Sequence, residues 1–215
     1  SVEPGSGSTI MGYAGITDYD IQTHSDDYFG YLSILQIQNN LASKTCPVSV
    51  PMSNQTPTVN AGLDYSIPKS TAFVLRGTGT DPNGDVLTYC WEEFDSATNQ
   101  TGFNSLAYPD KPNGPLFRSL KPSSSPVRYM PNLNKTLTGQ LTSSWESVSS
   151  ISRILNFSLT ARDNAASGSG QTNFDTMTVT VNANTGPFEV TSQIDETESS
   201  WLPGATQIIK WNVNN

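Results

Sequence analysis

Two stretches in the second half of the chain alternate strictly between apolar and polar residues. From Arg153 to Ala161, Leu155, Phe157 and Leu159 are interleaved with Asn156, Ser158 and Thr160. From Asp175 to Val181, Met177, Val179 and Val181 are interleaved with Thr176, Thr178 and Thr180. A period of two sends successive side chains to opposite faces of a strand. One dry and one wet face on each strand predict antiparallel sheets packed as a β-sandwich. Ala72–Thr78 and Val86–Phe94 read as further strands. In Val86–Phe94 the inward set is Leu87, Tyr89 and Trp91, which points Cys90 outward.

Near the amino end the period changes. Tyr28, Tyr31, Leu32, Ile34, Leu35, Ile37 and Leu41 recur at helical spacing and predict a helix over residues 25–41. Ser25 is a suitable N-cap, and Asp26 and Asp27 suit the positive end of the helix dipole. Residues 1–24 are Gly/Ser-rich and irregular, and residues 42–56 form a linker carrying Pro47 and Pro51. After Glu92, Glu93, Phe94 and Asp95 come about 55 residues rich in Pro, Ser, Asn and Gly. So long an excursion is not expected to be featureless. Gly114–Ser119 and Pro126–Pro131 are expected to pin it to the sandwich, with Trp145 filling a gap. Gly186–Asn215 reads as two strands around a turn, the start of a further β-domain with an edge open to pairing.

Length and charge narrow the functional classes. The chain has 215 residues, room for one large or two small domains. Its net charge of −8 argues against nucleic acid, which needs clustered Lys and Arg. No apolar run approaches the length of a membrane span, and no signal peptide is present. The first residue is not methionine, and the chain closes within a strand-like run, so it reads as part of something longer. Charged residues make up only 14%, a composition suited to a secreted β-domain.

Candidate chemistry is sparse. A catalytic zinc needs about three protein ligands and an open position. The chain has one histidine, His24, read as an exposed loop residue, and two cysteines. No Ser-centred elbow, phosphate loop or dinucleotide fingerprint occurs. The turn Asp81-Pro82-Asn83-Gly84-Asp85 sets three oxygen-bearing side chains on alternate residues, the hard donors that calcium prefers. An EF-hand is excluded, because Val86 stands where that loop needs glycine. The same residues also favour a plain type I turn without metal. Cys46 and Cys90 are read as a disulfide across the sheet, with two separate thiols or a bond from Cys46 to an upstream cysteine as the alternatives.

The motifs carry a resemblance. Ser8–Ile16 (STIMGYAGI) resembles the Met-turn of a metzincin zinc protease, in which a turn with one methionine, here Met11, lies beneath a zinc held by three histidines. SVEPGSGSTIMGYAGI, SDDYFGYLSILQIQNN, the run from Thr56 to Glu93, GPLFRS, SPVRYMP and TARDN together resemble secreted reprolysin-like metalloproteases of the Bacteroidetes type. Thr17 stands where many relatives carry a cysteine. Pro57, Ala61-Gly62, Asp81–Asp85, Leu87–Tyr89 with Trp91, and Thr160–Asn164 resemble a PKD or cadherin-like module of the immunoglobulin type, though the usual Asp-Phe-Gly-Asp-Gly run is missing.

The resemblance implies four parts: the end of a catalytic domain (1–45), a linker (46–56), a sandwich (57–183) with an insertion at 95–150, and the start of another β-domain (184–215). It also implies a calcium site at one pole, built from Asn54, Asp81, Asp85 and Asp163, with Asn83 as a further oxygen donor in the same turn. Zinc would belong to the parent protease and not to this fragment, which is expected to be inactive. Its expected role is spacing, stabilising or docking the parent on protein or peptide substrates outside the cell. The rival expectation is a calcium-dependent adhesion or glycan-binding module.

Overall fold

β-branched and aromatic residues with period two form the longest elements of the computed structural model, which describes residues 1–48, 50–166, 168–195, 197 and 199–214. In chain order these are α1 (Tyr31–Ala42), β1 (Thr58–Asn60), β2 (Tyr65–Pro68), β3 (Phe73–Arg76), β4 (Thr78–Thr80), β5 (Thr88–Glu93), β6 (Val127–Met130), α2 (Leu133–Leu137), β7 (Thr142–Ser143), β8 (Glu146–Ser147), β9 (Arg153–Arg162), β10 (Thr172–Asn182), β11 (Glu189–Val190) and β12 (Trp211–Asn212). A 3-10 turn spans Gly102–Ser105. The protein is mainly β. None of the described helices is long and apolar enough to cross a membrane.

The main sheet runs β2-β10-β9-β5. β9 pairs antiparallel with β10 on one side and β5 on the other, whereas β2 joins β10 in parallel. Small antiparallel pairs β1-β4 and β3-β6 complete the body. The inward residues of β9 and β10 meet Leu75 of β3 and Met130 of β6 in one core with Trp91, Leu116 and Phe117. Phe73 packs edge-on against Phe117 and Phe157, with ring centroids 5.6 and 5.9 Å away. The core residues most fully removed from water thus come from β9, β10, β3, β6 and the insertion. Trp91 also donates its indole N–H to the Pro126 carbonyl at 2.9 Å, so its polar atom is satisfied at the edge of the core.

The alternation holds on β10, where Thr176 and Thr180 are exposed. On β9 it does not. Ser158 and Thr160 are as buried as Phe157 and Leu159, because the segment before α1 and the insertion cover the second face. Cys90 is buried for the same reason. It lies under Ser119 and Leu120, and its thiol reaches the Leu120 carbonyl at 3.2 Å. Cys46 is exposed in the linker, and both cysteines are free thiols. The expected Cys46–Cys90 bridge is therefore corrected: the face that Cys90 turns outward is occupied by the insertion and not by the linker.

The insertion is held by buried charged side chains that each satisfy several backbone groups. Glu93 Oε2 accepts from the amides of Leu116 (2.7 Å) and Phe117 (2.9 Å). Arg153 donates to the carbonyls of Lys111 and Gly114. Lys111, only 1% exposed, donates to the Leu106 and Pro115 carbonyls. Arg128 donates to the Trp91 and Arg118 carbonyls and pairs with Glu146 at 3.0 Å. Loop backbone buried against a sheet needs such partners. Gly114–Ser119 and Pro126–Pro131 do pin the excursion, the second as strand β6 of the facing layer. Trp145 is half-buried against Gly5 of the amino-terminal segment.

Helix α1 begins six residues later than the pattern predicts. Its N-cap is Gly30, which has no capping side chain of its own, and no acidic residue sits in its first turn. Glu92 of β5 supplies the missing acceptor, taking the Tyr31 amide at 2.7 Å. Ser25 therefore caps nothing. Asp26 and Asp27 lie near Lys121 at 3.4 and 3.7 Å instead of at a helix start.

Candidate metal centre and the Met11 turn

The carboxylates of Asp81, Asp85 and Asp163 approach so closely that one oxygen of each lies within 4.8 Å of the others. Two loops bring them together. Asp81 opens the turn after β4, where its Oδ1 accepts from the amides of Asn83 (2.8 Å) and Asp85 (3.1 Å). That side chain folds the turn locally, and Gly84 closes it at φ +82°. Asp163 follows the last residue of β9 and is only 2% exposed. Its two oxygens accept from the Gln171 amide, and Oδ1 also accepts from Ala165. Burial works to raise its carboxyl pKa, but the amides of Ala165 and Gln171 and the side chain of Asn54 outweigh it, and the group stays below the ordinary carboxylate value.

The remaining predicted residues divide. Asn54 reaches the cluster from the linker, with Nδ2 at 2.6 Å from Asp163 Oδ2 and 2.8 Å from the Ser169 carbonyl. Asn83 makes a different contact. Its Oδ1 accepts from the Gln55 amide at 2.8 Å and ties the linker to the turn. One accepted bond leaves Oδ1 a second lone pair, so the contact tethers the linker without removing Asn83 from the donor set.

The donor set fits a hard divalent cation. Three carboxylates converge, and Asp81 Oδ2 is buried with no hydrogen-bond partner among the described residues. A buried carboxylate oxygen without a donor is costly. Like charges at this separation also repel. A cation ligated by oxygens answers both costs, and carboxylate with carbonyl oxygen is the chemistry that calcium takes. Sequence reading located Asp81, Asp85 and Asp163. It gave no sign of Gln171, whose amide is the main support of Asp163.

The second feature is the turn around Met11. Gly12 N–H donates to the Thr9 carbonyl at 2.8 Å, and Tyr13 N–H to that of Ser6 at 2.8 Å. Beneath it the Glu3 carboxylate gathers the amides of Ser8 (2.7 Å) and Thr9 (3.2 Å) and the Thr9 hydroxyl. Ser8 and Thr9 are buried, while Met11 at the tip is 65% exposed. Met11 and Tyr13 form one wall of a groove of about 890 Å³ whose other wall is α1, through Leu32, Ile37 and Leu41.

This turn is part of the β body. Gly5 N–H donates to Ser105, Ala97 N–H to Ser1, and Gln100 to the Glu3 carbonyl. Arg118 donates to Gln22, and Tyr28 and Ser119 share a 2.6 Å hydroxyl bond. Ser119 in turn donates to Glu92 at 2.8 Å. None of these pairs was visible in the sequence: all but Ser119–Glu92, which are 27 positions apart, join residues more than 90 positions apart. His24 is exposed, and its carbonyl accepts from Gln22.

No protein-family model matches the chain, and a search of curated proteins gives no match.

Proposed function

We propose that the chain is the non-catalytic portion of a secreted zinc metalloendopeptidase of the metzincin type, running from the Met-turn onward. Its β body is an immunoglobulin-like sandwich of the PKD or cadherin-like kind, and it takes a calcium ion at the pole formed by Asp81, Asp85 and Asp163. The observation that carries this reading is the exposure of Met11. Here a rigid turn, braced by Glu3, holds the methionine outward at 65% exposure beside the exposed Ile37 and Leu41. A Met-turn has to present its methionine to a neighbouring part of the enzyme, and the exposure of Met11 supports that reading.

In the parent enzyme the zinc would polarise the scissile carbonyl and activate water. Its ligands would come from the catalytic part and not from this chain, whose one histidine is His24. What these residues contribute is the seat. Glu3 shapes the turn, Glu92 fixes α1, and the sandwich carries both at a set distance from protein or peptide substrates. Calcium would neutralise the three carboxylates and hold Asn54 of the linker at the same pole.

The test is the natural reading frame. A segment before Ser1 that supplies three zinc-binding histidines, with casein cleavage by the longer protein that a zinc chelator abolishes and none by this chain, supports the proposal. A frame without that trio sinks it. Calcium-dependent binding of this chain to a glycan array, with no peptidase in the frame, would assign it to adhesion instead.

A further inference from the structure

Arg162 and Asp163 are consecutive residues at the end of β9, and their side chains leave on opposite faces. Asp163 turns toward Asp81 and Asp85. Arg162 turns toward the segment that leads into α1. Its Nη2 donates to the Phe29 carbonyl at 2.7 Å, and its guanidinium lies 5.8 Å from the centre of the Tyr28 ring. Both contacts fall on the residues just before the helix cap. The Tyr28 carbonyl accepts from Ile10 in the Met11 turn at 3.0 Å, and the next amide after the cap, Tyr31, is the one held by Glu92.

We propose that cation binding at Asp81, Asp85 and Asp163 stabilises the seat of the Met11 turn and α1 through Arg162. This rests on the calcium reading given above. The reasoning is local. An ion held by Asp163 opposes opening of the β9–β10 end. The same opening releases Arg162, because the two residues share one peptide unit. Whatever suppresses that opening also suppresses loss of the Arg162–Phe29 bond and, with it, fraying of the Tyr28–Tyr31 segment. The coupling needs no change of shape, only a shared opening equilibrium.

Hydrogen exchange on the intact chain tests it, with Ca²⁺ alone as the probe and calorimetry run in parallel. At a Ca²⁺ concentration about 100 times Kd, amides that exchange through the shared opening slow by about 100-fold. The expected pattern is slowing at Gln171 near the ion and also at Ile10 and Tyr31. Arg162→Met, which removes no cation ligand, keeps the calorimetric heat and the slowing at Gln171 but loses the slowing at Ile10 and Tyr31. Arg162→Lys, which keeps the charge, guards against a variant that fails to fold and retains part of the effect. Heat with slowing confined to Gln171 overturns the coupling and leaves the calcium reading standing. Slowing at Ile10 and Tyr31 that survives in Arg162→Met overturns the route through Arg162. Absence of heat removes both proposals.

Discussion

Glu92 Oε2 accepts the amide proton of Tyr31 at 2.7 Å, so a carboxylate on a β-strand caps a helix that has no cap of its own. The other oxygen takes the Ser119 hydroxyl at 2.8 Å. One side chain thus joins β5, the insertion and α1. Glu92→Ala leaves the Tyr31 amide and the Ser119 hydroxyl buried without this acceptor, at about 1–3 kcal/mol for each group stranded. The expected result in a urea titration is a lower midpoint. A helical far-UV signal that falls before the β signal would show α1 releasing first.

The pH dependence has two opposing limbs. Burial, above all, pushes the carboxyls of Glu92 and Glu93 up, and the Asp95 charge adds to the effect on Glu93 against the pull of Arg153. A carboxyl whose folded pKa is raised contributes stability that is present below its unfolded pKa and lost as pH rises through the folded value. Asp163 has the opposite sign: its depressed pKa gives stability present above the unfolded value and lost as pH falls through the folded one. Tm is therefore expected to rise as pH is lowered from neutrality toward the ordinary carboxylate range and to fall below it. Glu93→Gln should flatten the first limb, and Asp163→Asn should reduce the second. A Tm that falls steadily from pH 7 downward would contradict the assignment.

Calcium should raise stability by mass action. At about 100 times Kd the gain is about 2.7 kcal/mol, which for a chain of this size is a Tm shift of about 5–10 °C. Asp81→Asn keeps the turn's side-chain oxygen but removes a charge, so the shift should shrink while the Tm without calcium changes little. An unchanged calcium shift in that variant would remove Asp81 from the ligand set.

The four longest strand signals were legible because period-two alternation survives wherever one face of a strand meets the core. Val179 and Val181 against Thr178 and Thr180 show this on β10. The same rule failed for Ser158, Thr160 and Cys90, whose face is covered by segments far away in sequence. The start of α1 was misplaced because its cap comes from Glu92, 61 positions later. At the candidate metal centre the Asp-rich turn announced itself through its own turn chemistry. Asp163 was placed by resemblance alone, since nothing local to it marks a convergence with Asp81.

Gly5 is fixed by backbone and by an indole. Its φ is +57°, and a Cβ there would lie 2.4 Å from the Tyr19 carbonyl oxygen and 2.5 Å from Trp145 Cζ3. Gly5→Ala combines a left-handed conformation with two overlaps and should cost about 1–3 kcal/mol. Trp145→Ala in the same chain should recover only part of this, because the Tyr19 carbonyl is backbone and cannot swing away. Full recovery in a double-mutant cycle would show that the indole alone sets the constraint.

The two thiols should differ sharply in reactivity. Thiolate is the nucleophile, and burial pushes the Cys90 thiol far up while leaving little access. Cys46 is exposed in the linker. An aromatic disulfide reagent should titrate one thiol in native buffer and two in denaturant, and intact mass without reductant should match two free cysteines. Cys90 should become reactive only as the insertion lifts from β5, since Ser119 and Leu120 cover it. Glu92→Ala loosens that cover through Ser119, so it should speed native labelling of Cys90 while leaving Cys46 unchanged. Equal rates at Cys90 in both proteins would show that the cover does not depend on Glu92.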